Sequence, residues 1–159
     1  MSTKKAIVGQ NIICGSIGIG KIIDVAPLQD GGEEFYKVTF PKEKCINYFS
    51  ITNDSNYRVL STKDDIEKAV KIFKSDFDEI EYSSTQERIN SQKELLKESD
   101  VFKLAETLSL LSREKNLHAQ ISKPYKDSLR TFVEEVSFVL QVSKNETYKL
   151  LGIEKPKKM

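Results

Sequence analysis

Residues 9–22 read GQNIICGSIGIGKI, and this stretch decides the character of the first part of the chain. Runs of β-branched residues at 11–14 and 20–25 flank a segment that is rich in glycine. Isoleucine and valine favour strands, and glycines between short strands mark tight bends. The glycine spacing is G-x-x-G-x-G before a strand, whereas a phosphate-binding loop has G-x-G-x-x-G before a helix. We therefore predict a tight corner between two strands and not a nucleotide-binding loop.

The strand pattern continues outward from this stretch to about residue 60. Residues 30–32, DGG, predict a hairpin turn, because glycine accepts a positive φ without steric cost. Further strands are predicted at 35–40 and 45–51, and a polar turn follows at 52–56. Four or five short strands in so short a segment can bury a core by closing on themselves. The pattern therefore predicts a small SH3-like or Tudor-like β-barrel.

The rest of the chain has a helical pattern. Six of the seven glycines lie before residue 60, and apolar residues then recur at helical spacing. Five helices are predicted. The first follows the cap Thr62, the second runs from Ser84 to about Lys97, and the third follows Ser99 or Asp100. The fourth has Ser122 as its cap and Pro124 in its first turn, and the fifth runs from Ser143 to Gly152. We therefore predict the α+β class, with a β domain at 1–62 and an all-α domain at 63–159.

The composition excludes several classes of protein. The chain has 159 residues, 31% of them charged, and no apolar run near the roughly 20 residues that a membrane helix needs. Its start lacks the apolar core of a signal peptide, so we expect a cytoplasmic protein without membrane contact. Two cysteines, Cys14 and Cys45, and one histidine, His118, are too few for a structural zinc site. No nucleophile–base pair or carboxylate cluster stands out, so we predict no enzymatic activity and no cofactor.

The charge is unevenly distributed, although the formal net charge is only +1. Five basic residues lie between positions 113 and 130, against two acidic ones, and they are Arg113, Lys115, Lys123, Lys126 and Arg130. Clustered lysines and arginines can bind DNA phosphates without reading the base sequence. A solvated helix face is the alternative, because residues 63–159 hold 18 basic and 18 acidic side chains.

Several segments of the β part share a pattern with a known family. Residues 9–22 follow the pattern G-D-x-V-V-Y-x-x-x-G-x-G-x-I, and residues 35–40 fit the strand that comes next in that family. Residues 48–53 fit a strand that usually reads V-P-x-x-N, and residues 58–61 fit the exit R-P-V-x. The chain thus resembles the CarD-like family of bacterial transcription regulators, which bind RNA polymerase. Its opening also resembles the polymerase-interaction module of the transcription-repair coupling factor.

The helical part is similar to the same family. The matching residues there are Ser99, Asp100, Leu104, Ala105, Glu106, Leu110 and Arg113. Leu117-His118 stands where the family has L-S, the cap of a later helix, and residues 133–136 match V-x-E-L. The resemblance covers nearly the whole chain, and its specificity lies in the order of the motifs.

The resemblance implies a function. The β domain would bind the β subunit of RNA polymerase through the strand 45–51, with Tyr48 exposed and with contacts from Cys45, Ile46, Asn47, Tyr48, Phe49 and Ser50. The helical domain would contact promoter DNA weakly and without sequence readout, through Tyr82, Thr85, Arg88, Arg113, Lys115, Lys123, Lys126 and Arg130. We expect a monomer, associated with the nucleoid, that changes the stability of the open promoter complex.

Two departures from the family pattern leave a second interpretation open. Relatives commonly have a tryptophan at the position of Thr85, where it acts as a wedge in the minor groove, but this chain has no tryptophan. Two arginines that some relatives use against polymerase align with Ala26 and Tyr48. The alternative is therefore an adaptor that binds polymerase or another protein and makes no direct contact with DNA.

Overall fold

The computed structural model divides the chain into two compact units, Met1–Leu60 and Ser61–Met159. It describes residues 8–14, 17–27, 31–51, 57–77, 80–97, 100–114 and 117–154. Within these ranges, the first unit contains a five-stranded antiparallel sheet and the second contains five helices, so the protein is of the mixed α+β class. The predicted DNA contact Lys115, the alternative cap Ser99 and the predicted turn at 52–56 lie outside the described residues.

The sheet of the first unit is built from five short strands. They are β1 (Asn11–Cys14), β2 (Gly18–Pro27), β3 (Glu34–Phe40), β4 (Cys45–Ser50) and β5 (Arg58–Val59). Neighbouring strands are antiparallel, and their order across the sheet is β4-β3-β2-β1-β5. Strand β2 is longer than predicted, because its pairing with β3 continues beyond a register shift as far as Pro27 opposite Glu34.

The closed barrel predicted from the sequence is not present in the strand pairing. Strands β4 and β5 form the two edges of the sheet, and no ladder joins them in the part of the chain that the structure describes. The two edges nevertheless approach each other through side chains. The hydroxyl of Tyr57, directly before β5, donates to the Ser50 carbonyl at 2.9 Å, and its ring lies 5.2 Å from that of Phe49. Side chains from both edges therefore pack against the same apolar core.

Gly20 shows why the first unit needs a glycine inside a strand. This residue is buried beside the core side chains Val38 and Phe40. A Cβ atom at position 20 would lie 2.6 Å from Cγ1 of Val38 and 2.7 Å from the ring of Phe40. Such distances are well inside van der Waals contact, so the core has no room for a side chain here. The close approach of strand and core gives a physical reason for one glycine of the opening segment.

The second unit consists of five helices, most of which begin at a predicted cap. They are α1 (Lys63–Lys74), α2 (Thr85–Leu96), α3 (Val101–Ser112), α4 (Ala119–Leu140) and α5 (Lys144–Leu151). The predicted caps Thr62, Asp100 and Ser143 each accept a hydrogen bond from a backbone N–H of the first turn. Ser84, which was predicted as the first residue of the second helix, is the cap of α2. None of the described helices is long and apolar enough to span a membrane.

The predicted start of the fourth helix is wrong. We expected Ser122 as the cap and Pro124 in the first turn, but α4 begins at Ala119, and Pro124 lies inside the helix. The true cap is His118, whose Nδ1 accepts a hydrogen bond from the backbone N–H of Gln120 at 3.1 Å. Ile121 is completely buried. Burial of this side chain offsets the backbone hydrogen bond that Pro124 cannot donate, which the local proline signal does not reveal.

The helical core is centred on two stacked rings. Phe132 of α4 is fully buried, and its ring lies 6.1 Å from that of Phe73 in α1, at an interplanar angle of 17°. Glu135, one turn further along α4, is also fully buried and accepts a hydrogen bond from the backbone N–H of Ser61 at 3.0 Å. A buried carboxylate is tolerated only when it is hydrogen-bonded, so this contact ties the entry into α1 to α4.

Candidate functional site

Strand β4 is an exposed edge of the sheet. It pairs with β3 through six residue pairs, and the described residues provide no second partner strand. An edge strand presents backbone N–H and C=O groups that can pair with a strand from another protein. All six residues of the predicted polymerase contact lie on this strand. The strand, its exposure for pairing and the exposure of Tyr48 agree with what was predicted from the sequence.

The side chains of β4 alternate between the core and the solvent. Cys45, Asn47 and Phe49 are partly buried, and the centroid of the Phe49 ring lies 6.0 Å from that of the Phe40 ring. Ile46 and Tyr48 point the other way and are 50% and 49% exposed. Residues two apart on a strand share a face, so these two apolar side chains form one patch beside the free edge.

The two ends of β4 differ in what they offer a partner. Ser50 is already engaged, because its carbonyl accepts a hydrogen bond from Tyr57 and its hydroxyl donates to Glu33 at 2.6 Å. Tyr48 lies opposite Lys37 of β3, and Ile46 lies opposite Thr39, so the patch is bordered by polar side chains. A partner strand would therefore pair with residues 45–49, and Ser50 would lie at its margin.

The structure separates the described DNA-contact residues into two groups. Tyr82, Thr85, Arg88 and Arg113 line a single cleft between α2 and α3, whereas Lys123, Lys126 and Arg130 lie on α4. From their positions in the sequence, the basic residues between 113 and 130 were predicted to form one cluster. Because α3 ends at Ser112 and α4 begins at Ala119, these residues belong to different elements.

The arginines of the cleft are already paired with carboxylates. Arg88 forms an ion pair with Glu114 at 2.5 Å, with side chains 36% and 27% exposed. Arg113 lies 3.4 Å from Asp76, and its guanidinium also donates to the Ser75 carbonyl at the end of α1. These partners reduce the positive charge that either arginine can offer to a phosphate. Sequence reasoning missed Glu114 as a partner, because it lies 26 positions from Arg88.

Tyr82 is held at the cleft and is not a free aromatic wedge. Helix α2 begins at Thr85, so Tyr82 precedes the helix, and its ring is half-buried. Burial raises the pKa of its hydroxyl, and the Glu114 carboxylate raises this pKa further, against the opposing charge of Arg88. Thr85, in contrast, is exposed in the first turn of α2.

Helix α4 carries three of the basic residues that the sequence predicts as DNA contacts. Lys123, Lys126 and Arg130 follow the spacing i, i+3 and i+7, so they share one face of the helix. Arg130 lies 3.5 Å from Asp127, but both side chains are more than half exposed, and such a surface pair contributes little. This α4 basic face therefore keeps most of its positive charge.

No protein-family model matches the chain, and no curated protein is significantly similar to it. Among the described residues, no three His, Cys, Asp or Glu side chains come together as potential metal ligands. The β4 edge, the α4 basic face and the sequence pattern are therefore the features that bear on function.

Proposed function

We propose that this protein is a CarD-like transcription regulator that binds the β subunit of RNA polymerase through β4. The observation that carries the proposal is the exposed edge strand with its apolar patch of Ile46 and Tyr48. It lies at the position that the sequence resemblance implies for the polymerase contact. The strand supplies backbone hydrogen bonds, and the patch supplies apolar contact that needs no arginine at position 48.

The shape of the sheet supports an SH3-like or Tudor-like barrel as part of this proposal. The chain runs β1 to β4 as a meander, and β5 then returns to pair with β1. This return places Tyr57 against Phe49 of β4 and at 6.2 Å from Tyr36 of β3, so both edges of the sheet contribute to one core. In a small barrel, the sheet encloses its core in this way.

The function is tested by measuring direct binding to polymerase. Full-length protein is mixed with purified bacterial RNA polymerase and separated by size-exclusion chromatography. We expect the two to elute together, and we expect the isolated β subunit to compete with the holoenzyme for the protein. Separate elution at micromolar concentrations of both would contradict the proposal.

We further propose that the helical unit contacts upstream promoter DNA through the α4 basic face. The support is the shared face of Lys123, Lys126 and Arg130, whose ion pair with Asp127 is an exposed surface contact. Binding through phosphates is salt-dependent and independent of sequence. The adaptor without DNA contact is the second candidate, favoured by the pairing of Arg88 and Arg113 with carboxylates.

Neutralising the α4 basic face distinguishes these two candidates. We expect the triple variant Lys123→Gln, Lys126→Gln, Arg130→Gln to bind duplex DNA roughly tenfold more weakly on every sequence, with a shallower dependence on salt. The control is Lys63→Gln, Lys68→Gln, Lys71→Gln, which removes the same charge from exposed positions of α1. The affinity of each triple variant for DNA, and its dependence on salt, are measured by fluorescence anisotropy over a salt series. Equal affinities for the triple variant and the parent protein would favour the adaptor.

A tryptophan at position 85 should restore the wedge that this chain lacks. Thr85 is exposed in the first turn of α2, so a larger ring can be placed there without disturbing the core. Contact between an aromatic ring and a base is worth roughly 1–3 kcal/mol, so we expect Thr85→Trp to lengthen the lifetime of promoter complexes about fivefold or more. Tyr82→Ala should have a smaller effect, because the Tyr82 ring is held in the cleft.

The control for this prediction is Gln86→Trp, at the neighbouring exposed position of α2. Lifetimes are compared at one salt concentration, since phosphate binding changes with ionic strength. If Tyr82→Ala greatly shortened the lifetime of promoter complexes, the wedge would instead be assigned to Tyr82. If no variant changes the lifetime, the helical unit does not act at the edge of the promoter bubble.

A further inference from the structure

The cleft between α2 and α3 has the size and the lining of a binding site for a small organic molecule. Its volume is about 850 Å³, within the range of known ligand pockets. Apolar side chains of Phe77, Leu95 and Leu110 form part of its walls, together with the ring of Tyr82. Arg88, Arg113 and Glu114 provide the charges of its lining.

Gln92 supplies an unusual feature of this cleft. Its side chain is 2% exposed, and its Nε2 donates a hydrogen bond to Oε1 of Glu114 at 3.0 Å. This bond fixes the orientation of the amide, because the flipped amide would place Oε1 against a carboxylate oxygen. Among the residues that the structure describes, the buried Oε1 atom then has no hydrogen-bond partner.

An unsatisfied buried acceptor indicates the kind of group that would bind. Leaving a polar atom buried without a partner costs about 1–3 kcal/mol, and such atoms are uncommon in folded proteins. A ligand that carries an N–H donor would remove this cost when it binds. Because the Glu114 carboxylate lies beside Gln92, a ligand that presented a carbonyl oxygen at the same place would be repelled.

We propose that the cleft binds one unpaired nucleotide whose base carries an exocyclic amine, as adenine and cytosine do. The amine donates to Oε1 of Gln92, and the base lies between the apolar walls and the Tyr82 ring. A base presents a flat apolar surface together with donors at its edge, and apolar and aromatic walls hold such surfaces well. The nucleotide could come from a displaced promoter strand or from free nucleotide in the cell. Only the first source rests on the proposed function.

The test compares nucleotides that differ at the amine. Full-length protein, without polymerase, is titrated with AMP, IMP, CMP and UMP, and binding is followed by calorimetry and by the amide signals of α2 in NMR spectra. We expect AMP and CMP to bind at least tenfold more tightly than IMP and UMP, which carry a carbonyl in place of the amine. Equal affinities for AMP and IMP, or no binding of any nucleotide, would overturn the inference.

A variant at position 92 tests the role of the unpaired acceptor. Gln92→Met keeps the length of the side chain and removes the acceptor, so we expect a melting temperature equal to or above that of the parent protein. The same variant should lose the preference for AMP over IMP. The control is Gln86→Met on the exposed side of α2, which should keep both properties. If Gln92→Met keeps the full preference for AMP over IMP, the proposal is contradicted. If this variant does not fold, the comparison of AMP with IMP on the parent protein still decides.

Single-stranded oligonucleotides then identify the source. Tighter binding of an adenine-rich single strand than of AMP assigns the site to a displaced DNA strand, whereas tighter binding of AMP assigns it to a free nucleotide. Because polymerase is absent from these experiments, a failure of the polymerase proposal leaves this test unaffected.

Discussion

Replacing Tyr48 by aspartate is expected to weaken binding to RNA polymerase by about 30-fold or more. Aromatic side chains at the centre of protein interfaces commonly contribute at least about 2 kcal/mol, which corresponds to this factor. Tyr48 is 49% exposed and lies beside Ile46 on the free edge of the sheet. The aspartate removes the apolar contact and adds a charge that the interface would have to desolvate. Because the side chain faces solvent, the variant should remain folded.

The control for Tyr48→Asp is Val59→Asp on β5, at the opposite edge of the sheet. Val59 is 37% exposed, so the control adds the same charge at a second exposed edge position. We expect its affinity for polymerase to stay close to that of the parent protein. Circular dichroism establishes that both variants are folded. An unchanged affinity of folded Tyr48→Asp would place the polymerase contact elsewhere.

Replacing Phe132 by alanine should destabilise the helical unit by about 3–5 kcal/mol. The ring is fully buried and stacks on Phe73, so its removal exposes apolar surface and leaves a cavity between α1 and α4. The free energy of unfolding is measured from urea titrations followed by the helical signal in circular dichroism.

Phe138→Ala is the matched control for this prediction. It lies on the same helix, but its ring is 49% exposed, so we expect a change within about 0.5 kcal/mol. If Phe138→Ala lowered the free energy of unfolding as much as Phe132→Ala does, the core would not be centred on the two stacked rings.

Features that depend on neighbouring residues could be predicted from the sequence. The helix caps at Thr62 and Ser143 follow from the hydrogen bond between a side-chain oxygen and a backbone N–H two or three residues later. The exposure of Tyr48 was predicted as well. The order of the strands was not predicted, because the pairing of β5 with β1 depends on residues far apart in the chain.

The start of α4 shows how a local signal fails when tertiary burial opposes it. The proline pattern favoured a helix that begins near Pro124, yet the helix starts at Ala119 because Ile121 is buried in the core. The family resemblance placed a cap at Leu117-His118, and His118 is the cap.

The candidate sites were only partly predictable for the same reason. The positions of Lys123, Lys126 and Arg130 on one helix face follow from their spacing alone. The partners of Arg88 and Arg113 lie 26 and 37 positions away, and no local pattern indicates them. The unpaired acceptor of Gln92 likewise depends on how α2 packs beside Glu114, so it becomes visible only in the folded chain.

The central claim, that β4 binds RNA polymerase by strand pairing, is tested most directly by hydrogen–deuterium exchange of the complex. The full-length protein is exchanged alone and with saturating purified RNA polymerase, and the backbone amides are compared segment by segment. Strand pairing gives the edge amides new hydrogen-bond partners, so we predict slower exchange within residues 45–49 in the complex. The amides of β5, at the other edge, should exchange at the same rate in both samples. Unchanged exchange at residues 45–49 in a complex that has formed would contradict the account.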